Sequence, residues 1–567
     1  MKTFRNQILK SFLSIKQNLV LVVFRESLSD LAAFIRRFIE ARLRSQEDIS
    51  IKKINLVFSG RIHSEKKLSQ SEQRYVVLDQ FPIPQWLAIN SILAKEIANN
   101  LSASPKVFAF RTPSTLSKRM NSAFGLSEFL IIRLNITSWK LVKSEYTKIL
   151  SYLNKESELI DYKIDEIPIG LDIYESVLRL GRVTVSLRDW QTYRVIYLAL
   201  KQYCYFEPLF TSKRISAVVV SHDNYVGPGL LAHIAFRYKV PVLLANTVSF
   251  SMPTAPFQLY EKFQYFRNYA REIPTTDLHS GINWAKSELQ KRIGGEIGVG
   301  MDYQSKSAFT QERIERQTAI TNGAKVLILT HDFFDNPHGY GRMLFSDFYA
   351  WLQFLGELSE LTDYDWYIKP HRDYSELEFT TLKKYVRKFP RVKMVKPETS
   401  YHQLREEGVD FVLTCYGSAG HELPLLGFTV INASYNPHIA FDFNVHAKSL
   451  LEYKEIIMNL PTQKLQDIDL ERVYEYYYIQ KKFVERDDLM GMSQIELSRI
   501  NREDPSGKSG IDYLVNNAQS ISEGTKRVLK QTISSKLVYS FENTLSVESQ
   551  LRIELGPHNS EFFRRLG

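Results

Sequence analysis

Short apolar runs alternate with longer amphipathic stretches along most of this chain. Each run has the length of a strand buried in a parallel sheet, and the stretches between the runs have the helical period. This alternation predicts α/β layers with parallel sheets. The predicted strands of the first half are 54–60, 106–111, 217–222 and 240–246, and those of the second half are 325–332, 365–371, 391–397, 409–417 and 428–433.

The alternation appears twice, on either side of a polar stretch that contains several glycines, 294–317. A chain of 567 residues is also too long for one ordinary domain. The sequence therefore predicts two Rossmann-like domains that face a cleft. We expect a helical N-terminal segment over residues 1–50 and a first Rossmann-like domain over 51–295. A second Rossmann-like domain would cover 319–462, and a helical C-terminal extension would cover 463–567.

The cysteine content and the apolar runs indicate in which cellular compartment the protein is expected. Cys204 and Cys415 are the only cysteines, so the chain has no disulfide framework and no Cys-rich zinc site, which suits a reducing compartment. The sequence shows no secretory signal and no apolar run long enough to cross a bilayer. We therefore expect a cytoplasmic protein, with the inner face of the cytoplasmic membrane as a further option.

The net charge of +10 favours anionic partners. Nucleotides, phosphorylated substrates and an anionic inner membrane face all meet this condition, and peripheral contact with that membrane stays open. The basic residues are spread along the whole chain, with no dense basic arm and no RNA-binding aromatic signature. We therefore expect no nucleic-acid partner.

Four loops of the second half begin where predicted strands end. The carboxyl ends of parallel strands form the edge at which doubly wound sheets bind ligands. The candidate binding residues in and beside these loops are His331, His371, Arg372, Thr399, Ser400, Gly417, Ser418, Ala419, Gly420 and Glu422. Cations and helix N-termini can bind phosphate and a carboxylate can bind ribose hydroxyls, so the set suits a nucleoside monophosphate or diphosphate sugar. One histidine at a strand end is more often structural, but four such loops at one edge favour a binding site.

The last of these loops lies in LTCYGSAGHELPLLG, residues 413–427. Gly417 and Gly420 allow backbone angles that other residues resist, and they leave room for a ligand beside the main chain. A helix starting near Ser418 would direct its free N–H groups and positive dipole end toward the loop, which favours phosphate. A tight strand-to-helix turn with nothing bound is the alternative interpretation.

Three segments of the second half resemble a known family: IKPHRDYSE, VKPETSYHQL and DFVLTCYGSAGHELPLLGFTVIN. Together they resemble the C-terminal half of GT-B glycosyltransferases of bacterial capsule and lipopolysaccharide synthesis, above all those that transfer Kdo or sialic acid. The resemblance covers roughly residues 320–460, and the first half is similar only in layout. It implies a GT-B fold with an acceptor domain followed by a donor domain, a nucleotide-sugar donor, and a glycan or lipid-linked glycan acceptor. It also implies an enzyme without metal or cofactor, and no metal-ligand spacing stands out in the sequence.

The resemblance also implies roles for individual residues. His371 would contact the donor phosphate, Ser400 would lie near it, and Ser418 with the loop amides would cradle it. Glu422 would bind the ribose or the sugar. Arg372 stands where the family usually has proline, so a CMP-sugar donor stays open while the use of a nucleotide sugar is still expected.

A base for the acceptor hydroxyl would come from the first half. The best candidate segment is SHDNYVGPG, residues 221–229, in which polar residues follow a predicted strand and two glycines precede a helix. We expect Asp223 as the base and His222 as the alternative. A capped helix start with polar surface residues is the other interpretation of this segment.

Two other functions remain open. The stretch YGSAGHELPLLGFTVI also resembles the glycine–Glu helix start of nonhydrolysing UDP-sugar 2-epimerases, which share the two-domain architecture. A non-catalytic GT-B-like scaffold of a polysaccharide-synthesis complex is the second alternative. The donor sugar, the acceptor and the linkage are open in every case.

Overall fold

Tertiary contacts divide the chain into two compact units. Unit 1 comprises Met1–Leu180, Val185–Pro256 and Asp487–Ser540, and unit 2 comprises Gly181–Thr184, Phe257–Arg486 and Phe541–Gly567. Residues 257–295 thus group with the second unit, and the predicted domain boundaries stay a prediction. The computed structural model describes residues 18–28, 74–79, 84–110, 113, 118, 121–122, 126–245, 250–253, 255, 263–300, 306–339, 343–371, 374–433, 435–463, 468–484, 494–503, 509 and 513.

Unit 1 is built around a largely parallel sheet. Its strands are β1 (Tyr75–Leu78), β2 (Ser104–Ala109), β3 (Phe129–Ile131), β4 (Ile215–Val220), β5 (Val242–Ala245) and β6 (Phe250–Ser251). They lie in the order β3-β2-β1-β4-β5-β6, in which β1 to β5 are parallel and β6 is antiparallel to β5.

Helices cover both faces of this sheet. They are α1 (Pro84–Leu101), α2 (Ile136–Tyr152), α3 (Ile169–Arg179), α4 (Trp190–Thr211) and α5 (Leu230–Arg237), with a further helical segment at residues 19–28. Because side chains alternate along a strand, Tyr75 and Val77 enter the core that α2 to α5 cover, while Val76 and Leu78 enter the core that α1 covers. All four residues of β1 are buried, as a central parallel strand requires.

Unit 2 repeats this plan with a fully parallel sheet. Its strands are β7 (Lys325–Leu329), β8 (Asp365–Lys369), β9 (Val392–Met394), β10 (Phe411–Thr414), β11 (Thr429–Asn432) and β12 (Val445–His446). They lie in the order β12-β11-β10-β7-β8-β9. Val326 and Ile328 enter one core and Leu327 and Leu329 enter the other, so this sheet too is buried on both faces.

The helices of unit 2 are α6 (Phe266–Glu272), α7 (Thr275–Ile293), α8 (Phe348–Ser359), α9 (Glu376–Lys388), α10 (Tyr401–Glu406), α11 (Ala419–Glu422), α12 (Leu450–Met458) and α13 (Leu470–Tyr478). Polar N-caps fix where several of them begin: Asp347 accepts from the backbone N–H of Ala350 at 2.7 Å, and Ser375 accepts from that of Glu378 at 3.1 Å. The last described helix, α14 (Gln494–Glu503), returns to unit 1.

The predicted α/β class with two parallel sheets is confirmed. All the predicted strands except 54–60 overlap an observed strand, and 54–60 lies outside the described residues. The pattern misses β1, β3, β6 and β12, because strands of only two to four residues, such as YVVL, do not stand out beside the longer runs. Of the helices in the described residues, none is both long enough and apolar enough to cross a membrane.

Candidate functional site

Each sheet has one point at which the strand order reverses. In unit 1 this point lies between β1 and β4, and in unit 2 it lies between β7 and β10. Chains leaving these two strands turn to opposite sides, which opens a crevice at the carboxyl edge where open α/β sheets bind ligands. The residues directly after β1, β4, β7 and β10 are therefore the first to consider in each unit.

In unit 1, three polar residues form a hydrogen-bonded chain at this point. Asp79 follows β1, and Ser221 and His222 follow β4. The backbone N–H of Ser221 donates to Asp79 Oδ1 at 2.9 Å, and the Ser221 hydroxyl bonds to Asp79 Oδ2. His222 Nδ1 lies 2.9 Å from Ser221 Oγ.

The charge on Asp79 sets the direction of these bonds. Asp79 is buried, and burial raises its pKa to about 6, although the hydrogen bonds from Ser221 oppose the shift. Above that pH the carboxylate only accepts, so the Ser221 hydroxyl must donate to it and its oxygen is left to accept from His222 Nδ1–H. The proton of the neutral imidazole is then on Nδ1, and Nε2 is the nitrogen that can take up a proton.

The loop that carries His222 is held in a strained shape. Tyr225 has a φ of 72° and Gly227 a φ of 118°, both in the left-handed half of the map. Gln202 holds Gly227 by two hydrogen bonds, donating to its carbonyl at 2.7 Å and accepting from its N–H at 2.9 Å. Trp86 stacks on the His222 ring with centroids 5.1 Å apart and an angle of 3°. Backbone and ring contacts together fix the direction of the imidazole.

Asp223, the base expected first from the sequence, lies beside a second buried pair. His233 Nδ1 is 2.8 Å from Asp172 Oδ2, and both side chains are buried. Burial raises the pKa of Asp172 to about 6. His233 lowers this pKa, and the negative charge of Asp223 raises it. Burial works against a charged His233, but the carboxylate of Asp172 raises its pKa above the ordinary value. Asp223 is half-buried and interacts electrostatically with this pair. His222 is instead linked to Asp79 by hydrogen bonds through Ser221.

In unit 2, aromatic contacts join the ends of β7 and β10. His331 follows β7, and its ring lies 4.5 Å from the ring of Tyr416 and 4.9 Å from that of Phe348, measured between centroids. Tyr416 immediately precedes the glycine loop. His331 Nδ1 is 4.0 Å from the carboxylate of Asp335 and has no hydrogen-bond partner in the described part of the chain. The structure thus brings His331 and the glycine loop together, as the sequence predicts.

The glycine loop has the predicted backbone freedom, and the helix predicted behind it is short. Gly417 has a φ of 118°, and a Cβ placed there would meet no atom within 4 Å. The α-helix behind it is only α11, four residues long, followed by a 3₁₀ turn at Leu423–Leu426. Pro424 ends the α-helix, because its ring clashes with the carbonyl four residues earlier and it has no N–H to donate. The helix begins next to Ser418, as the sequence predicts, but a helix of four residues has only a small dipole.

Ser418 and Glu422 contact each other. Ser418 Oγ donates to Glu422 Oε2 at 3.0 Å, and Arg292 Nε donates to Glu422 Oε1 at 2.9 Å. Arg292 and Glu422 are both buried, with side chains 3% and 5% exposed. Arg292 Nη1 has no hydrogen-bond partner among the described residues. The loop therefore rests on a buried ion pair between Arg292 and Glu422.

Behind the loop lies a group of neutral histidines. A Cβ on Gly420 would come within 2.4 Å of His438 Nδ1, so only glycine fits against this ring. His421 Nδ1 is 3.1 Å from His438 Nε2. Burial lowers the pKa of His421 to about 4 and that of His438 well below its ordinary value. These imidazoles are uncharged at neutral pH and supply packing, not positive charge.

The remaining predicted residues that the structure describes lie in the segments that follow β8 and β9. His371 is exposed directly after β8, and Arg372 lies outside the described residues. Ser400 caps α10 by accepting from the backbone N–H of Gln403 at 3.2 Å, and Thr399 donates to the carbonyl of Lys396 at 2.8 Å. Both hydroxyl residues are buried.

Glu378 is a site residue that sequence reasoning misses. It lies in α9, buried, and accepts from Thr330 Oγ1 at 3.2 Å and from the backbone N–H of His371. Burial, with a contribution from Asp332, raises its pKa to about 7. A carboxyl group with so perturbed a pKa at the ligand edge is a candidate for proton transfer or hydroxyl binding.

Asp79 and Arg292 are missed as well. The signal for Asp79 is weak, since it is one acidic residue after a four-residue apolar run. Arg292 lies at the end of α7, far in sequence from the loop it supports, and no local pattern predicts that contact. In the part of the chain that the structure describes, no group of three or more His, Cys, Asp or Glu side chains is arranged to hold a metal ion.

No family model matches the chain, and no curated protein matches it. One similar solved structure is KpsC from Thermosulfurimonas dismutans, a beta Kdo 2,4 transferase. Its sequence is 14% identical, the match covers 47% of this chain and 80% of that chain, and the TM-score is 0.28. A glycosyltransferase from Rickettsia africae is 10% identical, with 77% and 98% covered and a TM-score of 0.22. MnaA of S. aureus with UDP is 11% identical, with 72% and 91% covered and a TM-score of 0.20.

Proposed function

We propose that this protein is a metal-independent glycosyltransferase that moves a sugar from a nucleotide sugar to a glycan acceptor. The observation that carries the proposal is the chain from Asp79 through Ser221 to His222 at the strand reversal of unit 1. A histidine whose tautomer is fixed by a buried carboxylate is suited to remove a proton from a hydroxyl. His222 is our candidate base, and Asp223 is the alternative.

The proposed reaction begins with His222 Nε2 accepting the proton of the acceptor hydroxyl. The acceptor oxygen forms a bond to the anomeric carbon of the donor sugar as the bond from that carbon to the phosphate oxygen breaks. The electron pair of the broken bond stays on the nucleotide phosphate. The imidazolium that forms is stabilised through Ser221 by the negative charge of Asp79.

Unit 2 would hold the donor. His331 and the amides of the loop at Gly417 supply hydrogen-bond donors for phosphate, and His371 is exposed after the neighbouring strand. Glu422 is bound to Arg292 and Ser418, so we assign it to holding the loop and not to the ribose. Charge on the leaving phosphate is then met by donors that are already in place.

We further propose that the acceptor is a capsule or lipopolysaccharide glycan, made at the inner face of the cytoplasmic membrane. The resemblance of residues 320–460 to transferases of that kind supports this finer assignment. The net charge of +10 is favourable for an acidic glycan and for an anionic membrane face.

A thermal-shift screen of the purified protein against CMP-, UDP- and GDP-sugars tests the proposal. Binding of a nucleotide sugar, followed by release of free nucleotide with transfer of the sugar, is the expected result. Conversion of a UDP-sugar to its epimer with the nucleotide still attached would establish an epimerase instead. A protein that binds no nucleotide sugar would be a scaffold.

A further inference from the structure

Unit 1 contains a cavity that is separate from the chain of Asp79, Ser221 and His222. Its volume is about 430 Å³, and it is a shallow depression that is largely open to solvent. The residues that line it include Arg133, Trp139, Tyr197 and Lys201, together with Val23 of the helical segment 19–28.

The charged residues that line the cavity are all cations. Arg133 and Lys201 line it, and no acidic residue is among its described lining residues. Arg133 is exposed, and its side chain makes no hydrogen bond or ion pair with the described residues. A guanidinium presents a planar fork of N–H groups that fits a carboxylate or a phosphate. The cavity therefore favours an oxyanion.

Aromatic rings form the other side of the cavity. The rings of Trp139 and Tyr197 meet edge to face, with centroids 6.4 Å apart and an angle of 75°. Tyr197 is buried and Trp139 is half-buried, so the two rings offer a rigid apolar surface. A ligand that fits both sides carries an oxyanion next to a ring or another apolar surface.

The position of the cavity relates it to the proposed base. Ile131 ends β3, and Arg133 follows it at the carboxyl edge of the same parallel sheet where Asp79 follows β1. β4, which His222 follows, is three strands away from β3 in the sheet order, which is a lateral distance of about 14 Å. An oligosaccharide acceptor that lies along this edge can extend from the cavity toward His222.

We propose that this cavity is an acceptor subsite that binds a sugar-borne oxyanion, either a carboxylate or a phosphate. The inference rests on the proposed function, because it identifies the ligand as part of the glycan acceptor. Arg133 and Lys201 bind the oxyanion, and Trp139 with Tyr197 contacts the sugar ring. A monosaccharide unit a short distance from the reacting hydroxyl would then set which acceptors are used.

The test is direct binding to the full chain, without donor and without turnover. Glucuronic acid and glucose 6-phosphate are the anionic probes, glucose is the neutral control, and phosphatidylglycerol vesicles represent a lipid source of the same chemistry. The variants are Arg133→Gln and Lys201→Gln. Lys140→Gln is the matched control, since it removes the same charge from an exposed position next to Trp139 that does not line the cavity.

We expect the parent to bind at least one anionic sugar, glucose to bind far more weakly, and each cavity variant to raise the Kd about tenfold or more. Lys140→Gln should leave the Kd unchanged, and all three variants should keep the parent melting temperature. Equal binding by parent and variants, equal binding of glucose, or no binding of either anionic sugar would overturn the proposal. Vesicle binding that depends on Arg133 without binding of the sugars would overturn it in favour of a lipid headgroup.

Failure of the proposed function would look different. A protein that binds anionic sugars through Arg133 but transfers no sugar would retain the subsite and lose the transferase assignment. A protein that transfers sugar at the parent rate in both cavity variants, with every acceptor, would retain the transferase assignment and lose the subsite.

Discussion

His222 Nδ1 lies 2.9 Å from Ser221 Oγ, and this contact decides which nitrogen of the imidazole can act as a base. Ser221 has one hydroxyl proton to give, and the ionised carboxylate of Asp79 can only accept it. The acidic residue at the end of β1 thus controls the tautomer of a histidine at the end of β4. Neither residue could fix the direction of the hydrogen bonds alone.

The first prediction reverses these hydrogen bonds. In Asp79→Asn, the introduced amide N–H would donate to Ser221 Oγ, and the Ser221 hydroxyl would turn to donate to His222 Nδ1. The imidazole proton would then move to Nε2, and the base would be lost. Because general base catalysis contributes about 10²- to 10⁴-fold, we expect kcat to fall by a factor in that range while donor binding is kept. Steady-state kinetics of Asp79→Asn with a parent-like kcat would contradict this role.

The same substitution should change how stability depends on pH. The pKa of Asp79 rises from 3.8 to about 6 on folding, so its contribution to stability is fully present below pH 3.8 and is lost as the pH rises through about 6. A shift of this size corresponds to about 3 kcal/mol as an order of magnitude. We expect Asp79→Asn to unfold at a higher temperature than the parent above pH 6, and the difference to disappear near pH 4.

Thermal unfolding from pH 4 to pH 8 measures this difference. Asp161→Asn is the control, since it removes an exposed carboxylate of the same unit and should shift the melting temperature little at any pH. A melting-temperature difference for Asp79→Asn that does not depend on pH would argue against a buried, ionised Asp79.

Substitutions of two glycines in the same loop, Gly417→Ala and Gly420→Ala, should be harmful for different reasons. Gly417 has space for a Cβ but a φ of 118°, so Gly417→Ala strains only the backbone, by roughly 1–3 kcal/mol. Gly420→Ala would place a Cβ 2.4 Å from His438, so the core behind the loop must shift. We expect Gly417→Ala to raise the KM for the donor most, and Gly420→Ala to lower the melting temperature most. The reverse order, in kinetics and calorimetry of the two variants, would show that the loop is only a turn.

The ion pair between Arg292 and Glu422 should behave as structural support. Removing one charge of a buried pair leaves the other uncompensated, at a cost of about 3–5 kcal/mol, so Glu422→Gln should be strongly destabilised. Ser418→Ala loses one hydrogen bond to the same carboxylate and should cost about 1 kcal/mol. Denaturant unfolding of both variants, and of a variant that carries Arg292→Met and Glu422→Leu together, measures these changes in the free energy of unfolding. A stable Glu422→Gln, or a double variant no better than the single one, would contradict the assignment.

Much of the second sheet can be predicted from the sequence, because its strands are continuous apolar runs bounded by polar turns. Ser400 is also predictable as a helix cap, since the hydroxyl precedes a helical stretch and accepts from the N–H three residues on. The short helix after Ser418 is predictable too if Pro424 is given its full weight, because proline cannot continue a helix interior.

The site itself is less predictable, because its key contacts join distant parts of the chain. Asp79 reaches Ser221 across 142 positions, and Arg292 reaches Glu422 across 130. No local period or motif carries such a contact. His222 and Asp223 are adjacent in the sequence, which favours Asp223 as the base, and only the neighbours brought in by the fold favour His222.

The most direct test of the central claim is the transfer rate of His222→Gln beside that of the parent. The donor is the nucleotide sugar found by the thermal-shift screen, and the acceptor is a bacterial surface-glycan fraction. We predict that His222→Gln binds the donor with the parent Kd, melts at the parent temperature, and transfers sugar about 10²- to 10⁴-fold more slowly. Transfer by His222→Gln at the parent rate, or a parent protein that transfers no sugar from any nucleotide sugar it binds, would contradict the account.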